Sequence, residues 1–313
     1  METNKKGVIL CLLAAFCYAL GPIIGKLLYS TGFPWQVVVC CRGMIPAVLV
    51  FLFALFFARN VFQIKKEHLH LFLLNGLCFG LISLCNYCAL YYINASVATV
   101  LLYTLPVFTV LLSRFMLKEK FSVTKIIAMV LVFCGTVLII NLTNMEDIAA
   151  HPGTTIFGIP SVVFGIILGL LSGLLSSLYT IFTRKLNCHY EGWTVNSWCY
   201  FLGFPVFLLV GAGPIASFPW QPSLVFYIII TALIGLSAYS LYSLSMQYIN
   251  ASKASLLVSL DPVISVTLSV VILGETLTLS QLLGCILVGG GILVMERGYA
   301  CYRYFQCRKE NVS

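Results

Sequence analysis

Residues 92 to 140 and residues 248 to 296 are two copies of one stretch. Each opens with Tyr-Ile-Asn-Ala-Ser, and superposing them without a gap, at a constant shift of 156, gives 17 identities in 49 positions. Pro106 falls on Pro262, Glu119 on Glu275 and Gly135 on Gly291. The relation extends upstream, where a shift of 159 puts Lys26 on Lys185 and Pro46 on Pro205. A repeat on this scale implies two copies of one structural unit, and any fold for the chain has to accommodate both.

Composition decides the medium in which the copies fold. The apolar fraction is 60%, only 9% of residues are charged and the mean hydropathy is +1.02. A soluble domain carries about a quarter charged residues. Apolar runs of about 20 residues, enough to cross a hydrocarbon core, follow one another with short connections. Ten spans are expected, at 7–28, 36–58, 70–92, 96–117, 121–141, 160–183, 193–212, 223–248, 252–273 and 277–296. The first follows Lys5 and Lys6 like a signal peptide, but its length and the nine spans after it make it a helix of the protein. The expected fold is therefore an all-α membrane protein of ten transmembrane helices. It divides into a first repeat at 7–141, a second at 160–296 and a basic tail at 297–313.

Lysine and arginine set the orientation. With the N-terminus inside, the cytoplasmic segments hold Lys5, Lys6, Arg59, Lys65, Lys66, Lys118, Lys120, Arg184, Lys185, Arg297, Arg303, Arg308 and Lys309. The opposite loops hold almost none; 142–159 carries Glu146 and Asp147, and 213–222 carries no charge. The positive-inside rule then places both termini in the cytoplasm of a multi-pass cell-membrane protein. The formal charge of +8 is accounted for by topology, so lipid headgroups and not nucleic acid are the expected partners.

Five helices per copy is an odd number, so the second copy enters the membrane from the opposite side. The two repeats are inverted. The charges follow: Lys118-Glu119-Lys120 falls inside, whereas Gly274-Glu275-Thr276 has lost both lysines and falls outside. Inverted repeats allow two similar halves to exchange conformations around a site near the bilayer midplane.

The stretches Val107-Phe-Thr-Val-Leu-Leu-Ser-Arg-Phe-Met-Leu-Lys-Glu119 and Val263-Ile-Ser-Val-Thr-Leu-Ser-Val-Val-Ile-Leu-Gly-Glu275, each after a proline in the fourth helix of its copy, resemble the EamA-type members of the drug/metabolite transporter superfamily. The resemblance covers roughly residues 7 to 296. It implies a pocket enclosed by helices 1 to 4 and 6 to 9, with helices 5 and 10 peripheral. It also implies a small-metabolite substrate, often an amino acid or a related compound, commonly moved outward. One departure lies in helix 1, where the family's frequent aromatic-Gly-Ser pattern reads Cys17-Tyr18-Ala19-Leu20-Gly21-Pro22.

Asp261 is the sharpest candidate residue. It lies about nine residues into the ninth span, and at about 1.5 Å per residue that is near the bilayer centre. A carboxylate at that depth is expected to face a cavity or a partner. Two readings stand side by side: it binds a cationic group or carries a proton, or it caps a broken helix with Pro262 as the first helical residue. Arg42, six or so residues into the second span, suits a substrate carboxylate. Tyr18, Asn86, Tyr87, Tyr103, Tyr179, Trp198, Tyr239 and Tyr242 complete the candidate substrate-binding set, since tyrosines present both a ring and a hydroxyl to amphiphilic solutes.

Other features read as architecture. Gly165, Gly169 and Gly173 form a small-residue stripe, repeated at Gly76 with Gly80 and at Gly21 with Gly25, that permits close helix approach. Pro22, Pro46, Pro106, Pro205 and Pro262 are expected to kink or interrupt their spans. The sequons at Asn94 and Asn250 fall on opposite faces of the membrane, so helix capping explains both where a glycan cannot. The pair Cys85 and Cys88 lies within one span without a second pair to complete a zinc site.

No phosphate-binding Gly-x-x-x-x-Gly-Lys-Ser/Thr loop is present, so a secondary transporter without a cofactor is the leading reading, driven by an ion gradient, with the proton as a candidate, or by the gradient of the substrate itself. A membrane receptor or regulatory protein on the same fold is the alternative. An intramembrane enzyme is disfavoured because His68, His70, His151 and His189 all fall in loops or at span ends. The inversion predicts that single cysteines placed at positions 94 and 250 react with impermeant thiol reagents from opposite sides of the membrane. Labelling of both from one side would remove the inverted repeat.

Overall fold

The computed structural model describes residues 2–29, 35–93, 95–119, 122–140, 155–156, 159–216, 218, 222–273 and 277–310. Among the described residues the fold is all-α but for one pair of two-residue strands, Thr155–Ile156 antiparallel with Ile159–Pro160. The helices are α1 (Glu2–Tyr29), α2 (Trp35–Phe57), α3 (Leu69–Tyr92), α4 (Ala95–Leu102), α5 (Leu105–Met116), α6 (Val123–Ile140), α7 (Ser161–Leu186), α8 (Gly192–Ala216), α9 (Pro222–Ser245), α10 (Ala251–Val258), α11 (Asp261–Leu273) and α12 (Leu279–Glu310). Among the described residues, eight helical stretches are long and apolar enough to cross a membrane, and Leu279–Met295 is a shorter apolar helix. Large side chains such as Phe57, Phe115, Leu209, Val271 and Leu293 are exposed on the outer surface, the arrangement lipid requires. Residues 297–310, expected as a separate tail, continue α12 as helix.

Two of the five intraspan prolines coincide with a break. Pro106 and Pro262 each stand second in a helix, after turns at 103–104 and 259–260 that are themselves related by the shift of 156. Proline lacks the amide that would continue the ladder and its ring crowds the preceding turn. The helices run through positions 22, 46 and 205, so the expected interruption is absent there.

The helices pack in pairs across the molecule: α1 on α9, α3 on α7, α2 on α8 and α6 on α12, with α5 against α10. Small residues make close approaches possible, in these pairs and where α4 meets α7 and α3 meets α8. A Cβ at Gly165 would lie 2.8 Å from Ile93 Cγ2, one at Gly169 2.9 Å from Leu101 Cβ, and one at Gly80 2.8 Å from Val206 Cβ. The surroundings of Gly21 and Gly25 lie outside the described residues. Between α6 and α12 contact is backbone to backbone: a Cβ at Gly135 would sit 2.7 Å from the Gly284 carbonyl oxygen and 2.8 Å from the Val288 nitrogen.

Glu119 joins the two copies. Lys118, with φ of 54°, turns the chain after α5; its counterpart is Gly274, a residue type that adopts this conformation without steric cost. The turn delivers the Glu119 carboxylate to the start of α10. Oε1 accepts the Ala251 amide (3.1 Å), and Oε2 accepts the Ser252 hydroxyl (2.6 Å) and the Lys125 ammonium (2.9 Å). Asn250 does occupy the N-cap position of α10, but its side chain makes no capping bond there. The expected amide cap is thus replaced by a charge-assisted one from the other copy, which is the stronger interaction. Asn94 and Glu275, the symmetry counterparts, lie outside the described residues.

Replacing Gly135 by Val drives a branched side chain into the backbone of α12. Overpacking costs about 1–3 kcal/mol, so the purified chain in detergent should melt several degrees below the native protein. An unchanged melting temperature would show that α6 and α12 do not depend on this contact.

Candidate functional site

The helix breaks border a cavity of about 260 Å³ in the middle of the bundle. That is just below the roughly 300–1,000 Å³ range of ligand pockets. Each wall is one helix face. Val39, Arg42 and Gly43 come from α2; Phe79, Ile82, Ser83 and Asn86 from α3; Ser176, Tyr179 and Thr180 from α7; and Gly235, Tyr239 and Tyr242 from α9. These spacings of three, four and seven are those of residues sharing one side of a helix. Tyr18 enters from α1, Tyr200 and Phe207 from α8, and Leu102, Tyr103, Leu105, Val258 and Asp261 from the two broken helices. None of the described lining residues comes from α6 or α12.

The ring of Phe79 organises the aromatic wall. Its centroid lies 4.8 Å from Tyr239 and 4.9 Å from Tyr200, with Tyr179 and Phe207 each at 5.7 Å. Most of these contacts are edge-to-face, the geometry that ring quadrupoles favour. Tyr18 adds an edge contact to Tyr239 at 5.2 Å, and the Tyr242 hydroxyl bonds the Thr180 hydroxyl at 3.2 Å.

Charge enters the cavity at two places. The guanidinium of Arg42 lies across from Gly235, where an added Cβ would stand 3.8 and 3.9 Å from two of its nitrogens; it is also within electrostatic reach of Tyr200. Asp261, the first residue of α11, lines the cavity with Tyr103 and lies within electrostatic reach of it. Its Oδ1 is buried and has no hydrogen-bond partner among the described residues. The Leu260 carbonyl accepts the Ile264 amide (3.0 Å), which makes Leu260 the N-cap residue and Asp261 the first helical one. Asp261 therefore does not stand at the expected N-cap position.

A polar seam cross-links the helices on the side of the cavity that leads toward Lys65 and Arg184. Fully buried Asn75 donates to the Thr183 hydroxyl (3.2 Å) and to the Cys199 sulfur (3.0 Å). Asn187 donates to the Ser243 carbonyl (2.6 Å), and Arg184 to the Met246 carbonyl. At the tip, the rings of His68 and His189 stack at 4.6 Å.

Eight of the ten candidate residues therefore line one cavity: Tyr18, Arg42, Asn86, Tyr103, Tyr179, Tyr239, Tyr242 and Asp261. Trp198 does not. Its indole donates to the Val61 carbonyl (2.9 Å) and packs on Phe72 and Phe201. Two residues before Tyr200, it is turned about 200° round the helix from the cavity face. The side chain of Tyr87 lies outside the described residues. Phe79, Tyr200, Phe207, Ser83 and Gly235 were not anticipated. The spacing of Phe79, Ser83 and Asn86, with Asn86 already a candidate, is the signal that would have found the first two. Phe79→Ala removes the ring that four others touch, and truncations of this kind cost about 3–5 kcal/mol. It should lower the melting temperature of the purified chain more than Trp198→Phe does; the reverse order would mean that Phe79 is not the centre of the wall.

The model of the EamA-like transporter family matches residues 5–141 and 163–297. An uncharacterized transporter from Clostridium kluyveri is 27% identical over 307 residues, covering 93% of each chain. The uncharacterized transporter YoaV of Bacillus subtilis is 26% identical, over 81% of this chain and 84% of its own. The inner membrane transporter YicL of Salmonella typhimurium, also uncharacterized, is 23% identical over 95% and 97%. One crystal structure superposes with a TM-score of 0.73 at 18% identity, over 92% of this chain and 97% of that one, a likeness of fold. A multi-pass membrane bundle with a central cavity, matched along almost its whole length, thus belongs to the EamA-like transporter family.

Proposed function

We propose that the chain is a secondary transporter that moves an amino acid or a related small metabolite outward by alternating access around the cavity. In this reading the twelve helices make ten membrane crossings, with α4 and α5 forming the fourth and α10 and α11 the ninth. They divide into two inverted repeats with both termini in the cytoplasm. What supports the division is that the two breaks, at 103–104 and 259–260, obey the same shift of 156 as the sequence identities. The packing supports it too. The pair of α1 with α9 maps onto the pair of α7 with α3 when the copies are exchanged, while α2 with α8 and α6 with α12 each map onto themselves.

The observation that carries the substrate reading is a cavity with a guanidinium, a carboxylate and a tyrosine-rich wall. Arg42 can clamp a carboxylate through its planar fork, and the wall suits an apolar side chain. Oppositely charged groups in one water-poor space hold a solute that carries both signs, because each charge loses hydration only where a counter-charge replaces it. Discontinuous helices belong at such a site, since their freed backbone groups are tolerated only against a cavity or protein. A gradient supplies the energy in this reading, with the proton as coupling ion and Asp261 as its carrier, flanked by Tyr103 and sharing the cavity with Arg42.

Purified protein in liposomes preloaded with a panel of unlabelled amino acids should accumulate the matching labelled one by counterflow. Arg42→Gln should reduce counterflow at least about tenfold, the loss of roughly 1.4 kcal/mol from one charged contact. Asp261→Asn should leave residual flux that no longer responds to pH. Absence of counterflow across the panel, or an intact pH response in Asp261→Asn, would overturn the substrate class or the coupling respectively.

A further inference from the structure

We propose that the break between α10 and α11 is a cation subsite for a protonated primary amine on the transported solute, with the Asp261 carboxylate as its counter-charge. This rests on the transport reading and assigns one end of the solute.

The two breaks share backbone architecture but differ in chemistry. In the first copy the Thr104 hydroxyl donates to the Leu101 carbonyl at 2.6 Å, closing the end of α4 with a side-chain donor, and the next residue is Leu105. Shifted by 156, those positions hold Leu260 and Asp261. Leu260 has no hydroxyl to give, so the Leu257 carbonyl receives backbone amides alone. A donor has been removed and a carboxylate added at the same point. The end of α10 presents partial negative charge and the start of α11 partial positive charge. These offset each other, which leaves the break dominated by the full charge of Asp261.

The surroundings of that charge favour a ligand over a structural role. Oδ1 is buried, makes no hydrogen bond among the described residues and belongs to a side chain that lines the cavity. Tyr103 faces the carboxyl, and its hydroxyl can supply a second oxygen to a bound ammonium. Arg42 lies on another wall of the same cavity, in α2, and its counterpart at a shift of 159 is the neutral Phe201. Each sign thus comes from only one copy. A carboxylate with one oxygen left without a donor in a water-poor cavity is costly. An ammonium group removes that cost with hydrogen bonds as well as charge.

The test uses the full chain in detergent and needs no transport. Dicyclohexylcarbodiimide modification of Asp261, counted by peptide mass spectrometry as the N-acylurea plus the ethylamide that the amine forms from the activated carboxyl, is compared in ethylammonium, sodium and tetraethylammonium chlorides at equal ionic strength. Ethylammonium should lower labelling several-fold relative to tetraethylammonium, which has no N–H to donate. Protection by sodium alone, by all three salts equally or by none would overturn the amine subsite. A second measurement avoids the label: ethylammonium should raise the melting temperature of the native chain and not that of Asp261→Asn, and equal shifts in both would overturn the proposal. A chain that passes these tests but shows no counterflow would have the subsite without the proposed transport.

Discussion

In a hydrocarbon medium an unbonded backbone amide or carbonyl has no water to turn to, and each costs several kcal/mol. This constraint makes the two helix breaks the features from which the rest of the structure follows. Helices α4 and α5, and α10 and α11, can stop and restart only where neighbours or a cavity receive the freed groups. Pro106 and Pro262 enforce the interruptions, Thr104 satisfies one of the carbonyls released in the first copy, and a cavity lies against both turns. In the first copy Gly173 packs against Thr104 at the break, and tyrosines from the surrounding helices line the same cavity.

Duplication supplies the frame, and departures from it supply the chemistry. Glu119 shows this at one end of the bundle. The same glutamate recurs at 275, but Lys125, which pairs with Glu119, is Gln281 in the second copy. The carboxylate of one copy caps the first turn of α10 in the other, so the halves are joined by a charge-assisted contact and not by apolar packing alone. Asp261 and Arg42 repeat the lesson in the cavity, each replacing an uncharged counterpart. Two related stretches of sequence can in this way border a polar space whose ends differ.

Much of the fold was legible because membrane insertion imposes a coarse rule on long apolar runs and because the shift of 156 aligns two independent copies of each signal. The cavity was legible in part for a related reason: polar side chains are sparse in such a chain, and those at mid-depth gather where lipid is absent. Asn86, Tyr239 and Asp261 were found on that ground, and Arg42 as a charge some six residues into an apolar span. Trp198 shows where the argument fails, since depth says nothing of which way a side chain faces round its helix. Phe79 was passed over because a phenylalanine in an apolar span carries no mark of its own. Its four aromatic contacts come from α7, α8 and α9, at least a hundred residues away.

Hydropathy and repetition are written in the local chain and were enough for the medium and the duplication, whereas proline marked five candidate breaks of which two, at Pro106 and Pro262, form. Only the tertiary structure decided which faces meet. It set Asp261 against Tyr103 with one oxygen unpaired, turned Trp198 away to Val61, and gave the start of α10 to Glu119 in place of Asn250. Each of these depends on the rotation and separation of helices distant in the chain. Close packing at glycine contacts sets both quantities, and no local pattern encodes them.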